Sequence, residues 1–109
     1  MVIEEKIVQA LKNRNYTITT AESCTGGLLA GRILNVSGAS AVYNEGHITY
    51  SNEAKERLLG VSHDTLEQYG AVSEQTAAEM ALGAARVANA NVGLSTTGIA
   101  GPGGGTPEK

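Results

Sequence analysis

The 109-residue sequence predicts an α/β domain in which helices pack on a largely parallel sheet. Three observations support this fold class. Short segments rich in β-branched residues alternate with amphipathic segments of helical period, loops rich in glycine and small polar residues follow two of the predicted strands, and neither a repeat nor a linker divides the chain. We therefore expect a single domain over residues 1–109.

The first third of the chain predicts a helix, a strand and a second helix. Residues 2–13 place apolar side chains on one face at the spacing of an amphipathic helix (Ile3, Ile7, Val8 and Leu11). Residues 16–20 are β-branched, as is typical of a short strand. Residues 21–27 then form a loop, and residues 28–36 return to helical period until Gly38 ends them.

Serine caps and glycine stops mark the remaining elements. Residues 41–50 predict a strand or a hairpin, in which Asn44, Glu45 and Gly46 would supply the turn. The elements expected after it are a capped helix over 52–59, a second short helix over 62–69, a long helix over 74–89 and a strand over 92–96. The long helix has alanines along one face, and such a face permits close packing on a sheet or another helix.

Composition excludes several classes of function. With 11 acidic and 8 basic residues, the chain lacks the basic surface that a nucleic-acid-binding module needs. No apolar run is long enough to span a membrane, and the first residues lack a signal-peptide pattern. Cys24 is the only cysteine, so we expect no internal disulfide and a cytoplasmic location. His47 and His63 are too isolated to predict a metal site. Leucine, isoleucine and valine total only 23 residues, which predicts a thin core, as if part of it were absent from the chain.

The loop at residues 22–27 is the first candidate site, because ligands of open α/β sheets bind beyond the carboxyl ends of strands. We expect Gly26 and Gly27 in the first turn of the next helix, where N–H groups without internal partners can hold an anion or an oxyanion. Ser23 then lies where a nucleophile is useful, and the thiol of Cys24 is an alternative nucleophile. The pattern alone favours a structural role, in which Ser23 or Thr25 caps the helix.

Two further segments are candidates for chemistry. At residues 49–55 a predicted strand leads into a helix, with Tyr50 ending the strand and Lys55 about one turn into the helix. Burial and the positive end of the helix would lower the pKa of Lys55 toward that of a general base, although a solvated lysine is the commoner case. The glycine-rich loop at residues 96–106 is neither a P-loop nor a dinucleotide-binding fingerprint. Its backbone could wrap a phosphate or a ribose, and we weigh this equally with simple flexibility.

Four ordered segments together resemble the CinA family. Their sequences are AESCTGGLLAGRI, YSNEAKERLLGV, EQYGAVSEQTAAEMALGA and TTGIAGPGGGTPEK, and they run through essentially the whole chain. These competence/damage-inducible proteins have a C-terminal nicotinamide-nucleotide amidase domain, so the resemblance implies a three-layer α/β/α sandwich with a mainly parallel or mixed sheet. Family members continue for several dozen residues beyond the glycine-rich loop. We therefore expect a domain that is incomplete at its C-terminal end and lacks its final strands and helix.

The resemblance also implies a reaction, the hydrolysis of nicotinamide mononucleotide to nicotinate mononucleotide and ammonia without a metal or cofactor. It assigns Ser23 as the nucleophile, with Lys55 and Tyr50 as its base and hydrogen-bonding partner. Substrate contacts are expected from the two glycine-containing loops, at Thr25, Gly26, Gly27, Thr97, Gly98, Gly101 and Gly103. We expect a homo-oligomer, most simply a dimer, with no nucleic-acid or membrane partner. The alternatives are a nucleotide-binding module without turnover, an interaction protein in competence or DNA repair, and an inactive shortened chain.

Overall fold

The computed structural model, which describes residues 1–100 and 103–109, confirms the α/β class. Its elements in chain order are α1 (Ile3–Arg14), β1 (Ile18–Glu22), α2 (Leu28–Leu34), a 3₁₀ turn (Ala39–Ala41), β2 (Tyr43–Ile48), α3 (Asn52–Leu59), α4 (His63–Tyr69), α5 (Glu74–Ala88) and β3 (Val92–Thr96). The hairpin alternative for residues 41–50 is wrong, because this segment contains one strand. Asn44, Glu45 and Gly46 lie inside β2 instead of forming a turn.

The three strands of the described residues form a parallel sheet in the order β2-β1-β3. The central strand pairs with β2 from Ile18 to Glu22, and with β3 over the same residues. All five residues of β1 are buried. The strand lies two residues later than predicted because Ala21 and Glu22, which have low intrinsic strand propensity, pair with neighbours on both sides.

Side-chain alternation along β1 divides the core into two layers. Ile18 faces the side covered by α1 and α2, where it packs with Val8, Leu11, Ile33, Ala39, Val42 and Tyr43. Ala21 faces the opposite side, where it packs with residues of α3 to α5 and their connections, namely Leu59, Val61, Leu66, Met80 and Ala84. Helices thus cover both faces of the sheet, as in an α/β/α sandwich. None of the described helices is both long and apolar enough to cross a membrane.

Close packing between α3 and α5 fixes the position of α3. Gly83 of α5 is buried, and a Cβ at this position would collide with the carbonyl oxygen of Leu59. The predicted small-residue face therefore does bring α5 close to another helix, with a glycine rather than an alanine at the tightest point. Because Lys55 lies one turn before Leu59 on α3, this packing also determines where the lysine side chain begins.

Candidate active site

Ser23 and Lys55 meet at the carboxyl end of the sheet. Ser23 directly follows β1, and its N–H donates to the carbonyl of Thr96 in β3 at 3.0 Å, which extends the strand pairing by one residue. Lys55 lies in the first turns of α3, which is capped by Ser51 through a 3.0 Å bond from the N–H of Ala54. The distance between Lys55 Nζ and Ser23 Oγ is 3.0 Å. Lys55 is only 1% exposed, so this contact is shielded from water.

The amine of Lys55 has three hydrogen-bond partners. Besides Ser23 Oγ, Nζ contacts the carbonyl oxygens of Thr49 at 2.8 Å and Tyr50 at 3.2 Å. An ammonium group would donate to all three. A neutral amine has only two N–H bonds, and because carbonyls can only accept, the two carbonyls take both of them. The lone pair then faces the serine hydroxyl, which is the geometry of a general base for Ser23.

The electrostatic surroundings of Lys55 favour this neutral form. Burial lowers the pKa of Lys55 because a buried ammonium loses its hydration; a weaker Coulombic interaction with Cys24 opposes this effect, and the net direction is downward. The N-terminal end of α3 also disfavours a positive charge on its first turns. Within the described part of the chain, no carboxylate lies within salt-bridge distance of Lys55. No ion pair among the described residues therefore stabilises the protonated form of the amine.

Tyr50 contacts Lys55 through its backbone rather than through its ring. Its carbonyl oxygen accepts the 3.2 Å bond from Nζ. The tyrosine side chain is 77% exposed, and its phenol forms no hydrogen bond with Ser23 or Lys55. Tyr50 is one of the residues that line the cleft beside the serine. The structure shows no hydrogen bond between Tyr50 and Ser23, and Tyr50 instead contacts the lysine through a main-chain atom that any residue would supply.

A buried carboxylate occupies the N-terminus of α2. Glu22 is 1% exposed, and its Oε1 accepts bonds from the N–H groups of Gly27 at 3.1 Å and Leu29 at 2.9 Å. Its Oε2 accepts from the N–H of Ala30 at 2.9 Å. Burial raises the pKa of Glu22, but the hydroxyl of Thr25 and these three N–H groups outweigh that effect and lower it. The carboxylate is therefore ionised at neutral pH and neutralises the helix end itself.

The expectation that Gly26 and Gly27 leave open donors for an anion is consequently wrong. The helix begins at Leu28, the N–H of Gly27 is bonded to the carboxylate, and the N–H of Gly26 lies 3.3 Å from the carbonyl of Ser23. The N–H groups of Cys24 and Thr25, in contrast, donate to none of the described residues. Because they directly follow the serine, they are the remaining candidates for oxyanion donors.

A cleft of about 410 Å³ opens beside the serine and lysine. Its described lining residues are Ser23, Cys24, Tyr50, Lys55, Ala71, Val72, Thr97, Gly98, Ile99, Ala100 and Gly103. Six of the predicted site residues therefore share one cleft. Thr25, Gly26 and Gly27 are not among the described lining residues, and Gly101 lies outside the described part of the chain. Lys55 is the only cation in this described lining.

The sequence pattern did not identify Glu22 as the residue that caps α2, or Thr96 as the residue whose carbonyl accepts the N–H of Ser23. The sequence pattern assigns Glu22 to a loop, whereas the structure places it in the central strand. A signal was present, because a single acidic residue stood at the end of a β-branched run, immediately before small polar residues and a helix. Carboxylates close to a helix N-terminus commonly satisfy its free N–H groups, so this position could have been predicted as a cap.

The fold and the site together define an α/β/α sandwich with a buried serine–lysine pair beyond its central strand. Comparison with known proteins is consistent with this description. The model of the CinA C-terminal domain matches residues 1–109, and the chain therefore belongs to the CinA family. A relative from Clostridium novyi, named for competence-damage induction, is 61% identical over 109 residues. A "CinA-like protein" of Kosmotoga olearia is 60% identical over 107 residues, which are 98% of this chain.

Solved structures of related proteins have the same fold. The competence/damage inducible protein CihA from Agrobacterium tumefaciens superposes with a TM-score of 0.89 at 45% identity, over 97% of this chain and 64% of its own. A CinA superfamily protein from Escherichia coli gives 0.90 at 43% identity, over 94% of this chain and 59% of its own. The present chain spans 26% of the length of the two curated relatives. It thus corresponds to part of a longer protein in each of these relatives.

Proposed function

We propose that this chain carries the nucleophile and base of an amidase that hydrolyses nicotinamide mononucleotide to nicotinate mononucleotide and ammonia. The observation that carries the proposal is the 3.0 Å contact between Lys55 Nζ and Ser23 Oγ at a cleft. The substrate follows from the resemblance to the CinA family, since the names of the relatives refer to competence and damage and mention no substrate.

The first half of the proposed reaction transfers the acyl group to the protein. Neutral Lys55 accepts the hydroxyl proton of Ser23 as Oγ attacks the carboxamide carbon, and the oxyanion that forms is held by the N–H groups of Cys24 and Thr25. The lysine then returns that proton to the amide nitrogen, the carbon–nitrogen bond breaks, and ammonia leaves. An ester between Ser23 and the nicotinate carbonyl remains.

The second half regenerates the serine. Water attacks the ester carbonyl while Lys55 accepts one of its protons, and the same backbone groups hold the second oxyanion. Collapse of this intermediate breaks the bond to Ser23 Oγ, which takes the proton back from the lysine. The acid is released and the protein returns to its starting state. A lysine with a lowered pKa suits this cycle because it must both accept and return a proton near neutral pH.

The cleft lining is suited to the flat pyridinium ring that carries the carboxamide of the proposed substrate. Small and apolar side chains surround the pair, contributed by Cys24, Ala71, Val72, Ile99 and Ala100. The volume of about 410 Å³ lies within the range of small-molecule sites. Because the described lining has no cation other than the buried lysine, we propose that backbone donors of the loop from Gly98 onward hold the substrate phosphate.

An ammonia-release assay with nicotinamide mononucleotide tests the proposal, in this chain and in a form extended to the length of its solved relatives. Ser23→Ala should lower turnover by about 10⁴-fold or more, since removal of a nucleophile disables the catalytic unit. Calorimetry should show that the variant still binds the mononucleotide. Ser40→Ala changes an exposed serine and is the matched control, expected to keep full activity.

Two results would count against the proposal. Near-normal turnover in Ser23→Ala would exclude this hydroxyl as the nucleophile. Binding of the mononucleotide by the unaltered, extended chain without any ammonia release would instead identify a nucleotide-binding module.

A further inference from the structure

Glu22 is a buried, charged residue that the proposed reaction does not use. We infer that Glu22, acting through Thr25, is a positioning residue that fixes the Ser23 hydroxyl and the neighbouring N–H groups toward the cleft. This inference rests on the proposed function, because it assigns Glu22 a role in serving that nucleophile. Its basis is a hydrogen-bond network that joins the ends of β1 and β3 around the serine.

The carboxylate of Glu22, at one end of this network, determines which hydroxyl groups donate and which accept. An ionised carboxylate can only accept, so the hydroxyl of Thr25 donates to Glu22 Oε1, at 2.5 Å. The oxygen of Thr25 is then free to accept from the hydroxyl of Thr96, 2.7 Å away. The carbonyl of Thr96 in turn accepts the N–H of Ser23 at 3.0 Å. Thr96 therefore holds the backbone of Ser23 through its carbonyl, and its hydroxyl bonds to Thr25, two residues further along the same loop.

The backbone of Glu22 also supports the base. Its carbonyl oxygen accepts the N–H of Thr49 at 2.8 Å, and the carbonyl of Thr49 accepts from Lys55 Nζ, also at 2.8 Å. Glu22 thus connects to Ser23 through its side chain and through the peptide bond, and to Lys55 through one intervening residue. A shift of this one residue would move both halves of the serine–lysine pair.

The chemistry of a glutamine at this position explains why the charge matters. Glu22 offers two acceptor oxygens to the N–H groups of Gly27, Leu29 and Ala30 and to the Thr25 hydroxyl. A glutamine offers one oxygen and one NH₂ group, so at least one backbone N–H would face another donor. The carboxamide or the loop must then move, and residues 23–25 lose part of their anchoring.

A second glutamate in the chain provides a matched control. Glu79 accepts the N–H of Ser62 at 2.8 Å through Oε1 and the hydroxyl of Thr65 at 2.5 Å through Oε2. The kinds of partner are the same, a helix N-terminus and a threonine hydroxyl, although Glu79 is only half-buried and accepts one backbone N–H group where Glu22 accepts three. Neither Glu79 nor Thr65 lines the cleft. Glu79→Gln therefore reports what the loss of such a carboxylate does when no catalytic group depends on it.

The test compares the two glutamine variants in the ammonia-release assay, using the extended form of the chain. Glu22→Gln should lower kcat by about 10²-fold, the effect of a displacement of about 1 Å at a reacting group, and should leave KM within about threefold. The pH at which activity rises should not change, because Lys55 remains the base. Glu79→Gln should keep kcat within about twofold of the unaltered chain. A kcat for Glu22→Gln equal to that of Glu79→Gln would overturn the inference.

A milder pair of variants keeps the test decisive if Glu22→Gln does not fold. Thr25→Val preserves shape and the carboxylate's bonds to the helix, but it removes the hydroxyl's bonds to Glu22 and Thr96 and should lower kcat by about tenfold or more. Thr65→Val is its control, and equal kcat values in these two would overturn the inference. Ser23→Ala, run in parallel, separates the two proposals. If that variant is inactive while Thr25→Val and Glu22→Gln are fully active, the positioning role fails and the proposed function stands.

Discussion

Replacing Lys55 by methionine isolates the titration of the proposed base. Methionine fills most of the space of the buried stem and removes the amine. In the folded chain, burial lowers the pKa of Lys55, with partial opposition from Cys24. In the unfolded chain, the same lysine titrates near its free value of about 10.4. Between the two pKa values the unfolded chain binds more protons than the folded chain, so the free energy of unfolding increases with pH in this window.

The magnitude follows from the proton count. One extra proton in the unfolded state gives a slope of about 1.4 kcal/mol per pH unit between the folded and the unfolded pKa of Lys55. The slope disappears below the folded pKa, where both states are protonated, and above about 10.4, where both are neutral. The same shift in the pKa of Lys55 also determines what fraction of the lysine is neutral and can act as a base. A free lysine is neutral in about one molecule in 2,500 at pH 7, and each unit by which the pKa falls raises this fraction about tenfold.

Urea denaturation at a series of pH values between about 6 and 10.5, below and up to the titration of a free lysine, measures this slope. The difference in unfolding free energy between the unaltered chain and Lys55→Met should rise with pH, because all other titrating groups cancel. Lys6→Met, at an exposed position of α1, is the control for a lysine-to-methionine change outside the site. Ammonia release should rise with pH to a midpoint below that of a free lysine, and Lys55→Met should be slower by about 10²–10⁴-fold. A pH-independent difference in unfolding free energy would refute the lowered pKa and with it the neutral base.

Three further predictions concern the support of the site. Tyr50→Phe should lower kcat by less than about tenfold, well short of the loss in Lys55→Met, because the lysine contacts the carbonyl of Tyr50; a larger loss in the ammonia assay would indicate that the phenol takes part. Gly83→Ala should lower the free energy of unfolding by about 1–3 kcal/mol through overpacking, whereas Gly31→Ala, where a Cβ meets nothing within 4 Å, should be neutral or stabilising; equal effects in urea denaturation would contradict the close approach of α3 and α5. Ser51→Ala should cost about 1 kcal/mol in the same measurement by removing the cap of α3, and no loss would show that the cap contributes nothing.

Most of the fold could be predicted because each local signal agreed with its tertiary setting. The capped helix α3 illustrates this, since Ser51 and Gly60 mark the ends that the structure shows. Local sequence patterns gave the wrong conformation where pairing with a distant strand determined it. The sequence Asn44, Glu45, Gly46 has turn-forming residues, yet β1 provides a partner strand and holds this segment in β2. Pairing with a distant strand is not visible in a local pattern.

The site divides in the same way. The carboxyl ends of parallel strands and the starts of the following helices were identifiable, and Ser23 and Lys55 were predicted on that basis together with the family resemblance. The occupant of the α2 N-terminus was not identified, because the end of β1 was predicted two residues too early. Once Glu22 belongs to the strand, its side chain has to point to one face of the sheet, and the free donors of α2 lie on that face.

Strand geometry also explains why a carboxylate can stand next to the proposed nucleophile without disabling the base. Successive side chains of a strand point to opposite faces, so Glu22 turns toward α2 while Ser23 turns toward α3 and Lys55. Exchanging the two residues would place the carboxylate beside the amine, raise the pKa of Lys55 through an ion pair, and remove the lone pair that faces the serine. The order of these two residues therefore keeps the carboxylate of Glu22 close enough to anchor the loop. It also keeps that carboxylate on the face of the sheet away from Lys55, where it cannot stabilise the protonated amine.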